Sequence, residues 1–187
     1  MSELLKSLTD EQLYNTFIKG DNAALDELLV RHKEGLTFFV YGFVNSFEDA
    51  EDIMMDAFAL LIAKKVKFKE KSSFKTWLYG IGRNLARAHL RKAVRMQTMP
   101  LDDSFFEDEK CPSSFAAIEG DDNKRALYKA LNTLNDDYKT VIYLTYFENM
   151  DVAQIGAIMK KSSKQIYNIT ARAKEQLRKQ LDGNISI

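Results

Sequence analysis

Asp151-Val152-Ala153-Gln154-Ile155-Gly156-Ala157-Ile158-Met159, followed by Lys160-Lys161-Ser162 and then Ser163-Lys164-Gln165-Ile166-Tyr167-Asn168, is the stretch that decides the fold. Asp151 is a good helix N-cap, and the apolar positions after it recur at helical spacing. Lys160-Lys161-Ser162 is a tight break that lacks the usual Gly. Ser163 then leads a second helix whose inward stripe is Ile166, Ile169, Ala173, Leu177 and Leu181. Lys164, Gln165, Tyr167, Asn168, Ala171 and Arg172 fall on its outward face. Small Ala153 and Gly156 are expected to let the two helices approach closely. Two short helices joined this way form a helix-turn-helix, in which the second helix enters a major groove and its first residues touch base edges. Lys, Gln and Asn side chains can read such edges. The simpler reading is an ordinary helical hairpin.

Upstream, Arg83, Arg87, Arg91 and Arg95 recur every four residues on a predicted helix that Ser72 or Ser73 caps. They make one gently drifting ridge about 18 Å long at 1.5 Å per residue. No acid lies among them, so they are not an intrahelical salt-bridge ladder, and a row of guanidinium groups suits a phosphate backbone. Before the helix comes Lys67-Phe68-Lys69-Glu70-Lys71-Ser72-Ser73, read as a loop, and then Phe74 and Trp77. Bases interleaved with aromatics suit single-stranded DNA and the stacking of an extruded base. For Phe74 and Trp77 the competing reading is plain core, on a stripe with Leu78, Ile81 and Leu85. A further helix, opened by Ser46-Phe47-Glu48-Asp49, turns Ile53, Ala57, Leu60 and Leu61 inward. Its outward face carries Asp49, Glu51, Asp52 and Asp56. That face reads as solvated or as a docking site for a basic partner.

The rest of the chain agrees. Thr9-Asp10-Glu11-Gln12 fits a capping box, Gly20 a helix end and Asp21 the next cap. Leu25, Leu28, Leu29, His32, Leu36 and Phe39 then follow near helical spacing. The chain has 187 residues, 45% of them hydrophobic, with Pro (2) and Gly (8) scarce, which favours packed helices over a turn-rich sheet protein. Net charge is zero, but the charges are segregated. Twelve acids face four bases from Met1 to Ala63, and eleven bases face Glu70 alone from Lys64 to Arg95. Eight acids face Lys110 from Leu101 to Asp122, and seven bases face two acids from Lys160 to Asp182. Two basic blocks around an acidic one suggest two polyanion-binding surfaces on a repelling tether. The fold class is therefore all-α: two helical domains, 1–97 and 123–187, joined by a flexible acidic linker, 98–122. The single Cys111, the lack of a secretory h-region and the lack of a membrane-length apolar run point to the cytoplasm. No phosphate-binding Gly-rich loop, no His-Glu-x-x-His and no nucleophile elbow is present. His32 and His89 lack obvious partners. No enzyme activity, cofactor or metal is expected.

With those residues in hand, the chain resembles bacterial sigma factors of the extracytoplasmic-function type, over nearly its whole length. Asp49-Ala50-Glu51-Asp52-Ile53 with Asp56 and Phe58 is similar to the family's polymerase-binding helix. Ser73-Phe74-Lys75-Thr76-Trp77-Leu78 through Arg83-Asn84 and Arg91-Lys92 resembles the segment that melts and reads the −10 element. Ala130-Leu131-Asn132-Thr133-Leu134 and the helix-turn-helix resemble the −35-reading domain. Departures from frequent family residues at Gln154-Ile155-Gly156, Lys164-Gln165-Ile166 and Ile169 bear on the −35 sequence rather than the architecture. The resemblance implies docking of Asp49, Glu51, Asp52 and Asp56 on the clamp coiled coil of the largest subunit of RNA polymerase core. It implies a −10 surface of Lys67, Lys69, Ser72, Ser73, Phe74, Trp77, Arg83, Asn84, Arg87 and Arg91. The −35 surface would be Ser163, Lys164, Gln165, Tyr167, Asn168 and Arg172. It also implies promoter DNA as ligand and, often, an anti-sigma protein that occludes both surfaces. A stand-alone helix-turn-helix regulator would explain only the C-terminal part. A polymerase-binding interaction protein would keep the fold without promoter function.

Overall fold

The computed structural model describes residues 3–64, 72–97 and 134–184, and every regular element among them is a helix. They are α1 (Glu3–Ser7), α2 (Asp10–Ile18), α3 (Asn22–Val44), α4 (Phe47–Lys64), α5 (Phe74–Gln97), α6 (Asp136–Tyr146), α7 (Val152–Met159) and α8 (Ser163–Asn184). Lys67, Lys69, the loop around them, the 98–122 linker and the start of the C-terminal group, 123–133, lie outside the described residues. No described helix is long and apolar enough to cross a membrane.

Local chemistry sets the helix ends. Thr9 Oγ1 accepts the Gln12 N–H at 3.3 Å and the Gln12 side chain accepts the Thr9 N–H at 2.9 Å, closing the expected capping box. Gly20 turns the chain at φ +112°, and Asp21 caps α3 through the Ala23 N–H at 3.0 Å. Ser46 Oγ accepts from Asp49 N–H at the head of α4. At α5 the cap is Ser73, whose hydroxyl accepts the Thr76 N–H at 3.2 Å. A second acceptor comes from far away in sequence: Glu11 Oε1 on α2 takes the Phe74 N–H at 2.8 Å. An acid at a helix N-terminus complements the partial positive charge there.

α3 is the central helix and packs against α1, α2, α4, α5 and α6. Its Leu28, Leu36, Phe39 and Val40 are buried, together with Leu13, Tyr14 and Phe17 of α2, Ala50, Ile53, Ala57 and Leu61 of α4, and Phe74, Leu78 and Tyr79 of α5. The inward positions expected on α3 and α4 are thus in the core, with Leu25, Leu29 and Leu60 half-buried at its edge.

A polar knot closes the top of this bundle. Arg31 of α3 donates to the carbonyls of Leu5 (3.3 Å), Lys6 (2.8 Å) and Leu8 (2.8 Å), to Asp10 Oδ1 (3.1 Å) and to Glu27 Oε1 (2.9 Å). It satisfies the end of α1, where helix carbonyls have no internal partner. His32 Nε2 lies 2.7 Å from Asp10 Oδ2. Burial alone would raise the Asp10 carboxyl, but the bonds and charges of His32 and Arg31 outweigh it and hold its pKa below the ordinary value. His32 therefore has a partner, contrary to the sequence reading.

The C-terminal helices do not stand apart from this bundle. Val141, Leu144, Met150, Ile155, Ile158 and Met159 continue the core of α1–α5, and Tyr143 packs its ring 5.6 Å from that of Phe39. A small second cluster, Leu134, Ile142 and Ala173, ties α6 to α8.

Candidate nucleic-acid interfaces

The helix-turn-helix is built from α7 and α8. Asp151 and Gln154 form a capping box at α7, at 2.8 and 2.9 Å. Lys160 takes the left-handed conformation, φ 56°, that the missing Gly would have taken. The closeness of the turn is set by Gly156: a Cβ there would lie 2.8 Å from the Lys161 carbonyl oxygen, so no side chain fits. Ala153 plays no part in that approach, because it is exposed. The expected spacer role belongs to Gly156 alone, since the helices meet on the Ile155–Gly156 side of α7.

On α8 the sequence pattern and the structure agree closely. Ile166 and Ala173 are buried, with Ile169 and Leu177 half-buried. Ser163, Lys164, Gln165, Tyr167, Asn168, Ala171 and Arg172 are all exposed, and Tyr167 is among the most exposed large side chains. α8 begins at Ser163, as its sequence predicts, and Ser162 is its cap. Ser162 Oγ accepts the Gln165 N–H at 3.3 Å, and Gln165 Oε1 accepts the Ser162 N–H at 2.8 Å. The Gln165 side-chain oxygen is therefore engaged by the turn, on a residue that stays exposed.

On α5, Asn84, Arg87 and Arg91 are exposed, as is Arg95. Arg83 departs from the ridge. It is only 4% exposed and pairs with Asp137 of α6 at 3.0 Å. Burial lowers its pKa, with nearby Arg87 adding to the effect and Asp137 opposing it. Its Nε is buried without a hydrogen-bond partner among the described residues. Phase along the helix explains the break: at 100° per residue, four-residue steps drift, so the first arginine points toward α6 while the later ones point to solvent. Phe74 is fully enclosed, with ring centroids 5.4 Å from Tyr14, 5.8 Å from His32 and 6.1 Å from Trp77. A base cannot stack on Phe74 in this arrangement, and the core reading applies to it. Trp77 is half-buried and lines a cleft of about 230 Å³ with Ser72, Asn84, Ala157, Ile158 and Lys160. Ser73 is half-buried, and its hydroxyl also accepts from Gln154 Nε2 of α7 at 3.3 Å.

On α4, Glu51, Asp52 and Asp56 are exposed. Asp49 is partly exposed and lies 3.6 Å from His89 Nε2, so His89 too has a partner. Met55 and Ile62 are exposed among these acids.

Two family models match this arrangement, Sigma-70 region 2 over residues 28–96 and Sigma-70 region 4 over residues 124–177. Together they span about two thirds of the chain. The chain belongs to the sigma-70 family. It is 26% identical over 186 residues to the RNA polymerase sigma-H factor of Pseudomonas aeruginosa, covering 95% of this chain and 96% of that one. It is 25% identical to the ECF RNA polymerase sigma factor SigW of Bacillus subtilis, covering 87% and 91%. The fold is similar to the sigma factor RpoE of Bartonella quintana, solved in complex with the anti-sigma factor NepR, with a TM-score of 0.66, 22% identity and 85% and 97% coverage. This sigma factor is thus of the extracytoplasmic-function type. Its region 2 match begins at Leu28, within α3, and takes in the acidic and the basic helices, α4 and α5. Its region 4 match takes in α6, α7 and the first part of α8.

Proposed function

We propose that this sigma factor binds RNA polymerase core and directs initiation at promoters carrying its own −35 and −10 elements, with no catalytic chemistry of its own. The observation that carries the reading is one chain presenting three surfaces of suitable sign. These are the exposed recognition face of α8, the exposed arginines and Asn84 of α5, and the exposed acids of α4. The division of labour follows the segments 1–97, 98–122 and 123–187. Asp49, Glu51, Asp52 and Asp56 dock on the clamp coiled coil of the largest subunit. Ser72, Ser73, Trp77, Asn84, Arg87 and Arg91, with Arg83 once its pairing with Asp137 is released, serve the −10 element together with Lys67 and Lys69. Phe74 contributes by fixing Trp77 from below. The protein works in the cytoplasm, where core polymerase is, and an anti-sigma partner is proposed on the likeness to the sigma factor crystallised with one. Run-off transcription decides the reading. Core polymerase plus this chain, on a library of genomic fragments, is expected to give discrete transcripts that core alone does not, and no such transcripts would refute it.

The −35 assignment makes a sharper statement. Asn168 and Lys164 stand on the first turns of α8, where base edges are in reach, and Arg172 lies a turn further on. A direct base contact is worth roughly 1–3 kcal/mol of discrimination. In a promoter-library readout, Asn168→Ala is expected to relax preference at one or two −35 positions, about 10- to 100-fold. Arg172→Ala is expected to weaken all promoters alike, because phosphate contacts carry no sequence information. Gln165→Ala is the poorer probe. It would also remove the side-chain oxygen that accepts the Ser162 N–H in the α8 capping box, so a loss of binding would mix DNA contact with local stability.

A further inference from the structure

The first turn of α2 aims two side chains at the head of α5. Glu11 and Tyr14 are three positions apart, so they share one face of α2. Glu11 Oε1 takes the Phe74 N–H at 2.8 Å, across 63 positions of sequence. The Tyr14 ring packs 5.4 Å from both Phe74 and Trp77, edge-on to the indole. Phe74 and Trp77 also meet edge-on, so the three rings form one wedge. The Phe74 N–H belongs to the first turn of α5, where backbone donors have no intrahelical partner. Ser73 next door satisfies the Thr76 N–H, and the Phe74 N–H is met by Glu11 from another helix.

Glu11 is itself held in place. Thr9 and Gln12 bracket it in the α2 capping box. Asp10 beside it lies 2.7 Å from His32 and accepts from Arg31 at 3.1 Å. The His32 ring in turn lies 5.8 Å from Phe74. A backbone fixed on both sides leaves Glu11 only its own side-chain torsions to order when it bonds. α2 lies wholly before Leu28, where the region 2 match begins. Resting on the −10 reading above, we infer that α2 positions the −10 surface and that Glu11 is its positioning residue. Glu11 fixes the first turn of α5 from outside that helix. It thereby fixes how Ser72, Ser73 and Trp77 meet an unpaired strand, without touching DNA itself. The bond needs an acceptor oxygen at the end of a two-methylene arm, which Gln also offers and Asp does not.

The test uses the full chain with core polymerase and two DNA pools. One is a fork whose unpaired strand is randomised, and the other is the fully paired duplex of the same sequences. Trp77 is the single tryptophan, so a fluorinated indole reports its surroundings in one resonance. Glu11→Asp is expected to speed hydrogen exchange at the Phe74 amide and to weaken fork binding, each by about 3- to 30-fold, the range of a lost helix cap. The Trp77 resonance should shift or broaden. Duplex binding, core binding and helix content are expected to stay at wild-type values. Glu11→Ala should behave as Glu11→Asp, and Glu11→Gln as the wild type. Asp26→Asn removes a charge at an exposed site of α3 and should change none of these readings. A Glu11→Asp chain that matches the wild type would overturn the inference, as would a Glu11→Gln chain that fails like it. Equal losses on fork and duplex, or a loss of helix content, would make Glu11 a plain stability contact and overturn it too. Fork binding that survives Trp77→Ala overturns the −10 reading and this inference with it. Fork binding lost with Trp77→Ala but kept with Glu11→Asp overturns this inference alone.

Discussion

Reversing Asp52 and Asp56 together to lysine is expected to abolish holoenzyme assembly, with at least about a 100-fold loss of affinity for core polymerase. Like charges brought face to face across an interface cost several kcal/mol, and each 1.4 kcal/mol is a factor of ten. Both carboxylates are exposed on α4, on the side away from Ile53, Ala57 and Leu61. Surface substitutions of that kind change stability by about 0.5 kcal/mol or less. Helix content and melting temperature should therefore stay at wild-type values while co-elution with core is lost. Residual binding by single variants should fall steeply with salt, because exposed charge pairs are screened over about 10 Å at 0.1 M. A folded double variant that binds core normally would move the docking face elsewhere.

Arg31→Ala is expected to have the largest effect on stability. The guanidinium is the shared partner of the Leu5, Lys6 and Leu8 carbonyls, of Asp10 and of Glu27, which is buried and has one carboxylate oxygen without a hydrogen bond among the described residues. Removing one member of a buried ion pair costs about 3–5 kcal/mol. Arg31 retains some solvent contact, 25% of its side chain, so about 2–4 kcal/mol is expected. For a chain of this size that lowers the melting temperature by roughly 5–15 °C, measurable by circular dichroism. The same knot sets an acid limit. The Asp10 carboxyl is held below its ordinary value of 3.8, so its contribution is fully present above pH about 4 and is lost as pH falls through the depressed folded value. The wild type should lose this increment below pH about 4, and Arg31→Ala should show a shallower loss over the same range. A variant with unchanged melting would mean that α1 docks without this arginine.

Much of the local structure around the candidate site is legible in the sequence. The Thr9, Asp21, Asp151 and Ser46 caps are read from residues at most three positions apart, and the structure makes each of those bonds. The outward face of α8 was legible for a similar reason. In a helix, facing follows from spacing, so Ile166 and Ala173 inside imply Lys164, Tyr167, Asn168 and Arg172 outside. The errors arose where spacing underdetermines contact. Arg83 looked like the first tooth of a ridge, because its own helix carries no acid near it, yet its partner stands 54 positions away. Phe74 and Trp77 share one stripe, and only packing against Tyr14 and His32 decides that Phe74 is enclosed while Trp77 reaches a cleft.

The sequence by itself determined the helical class, the order of the helices, the cap at most helix starts and the sign of each exposed face. Those properties depend on intervals of three or four residues and on charge, and both survive any rearrangement of one helix against another. Tertiary structure alone decided that His32 and Arg31 share Asp10, that Glu11 caps α5, and that α7 lies across α5 with Glu148 beside Gly35. Such contacts join residues far apart in sequence, as Tyr143 to Gly35, 108 positions apart. They exist only once the core of α3 has set the distance between helices, and no interval within one segment encodes that distance.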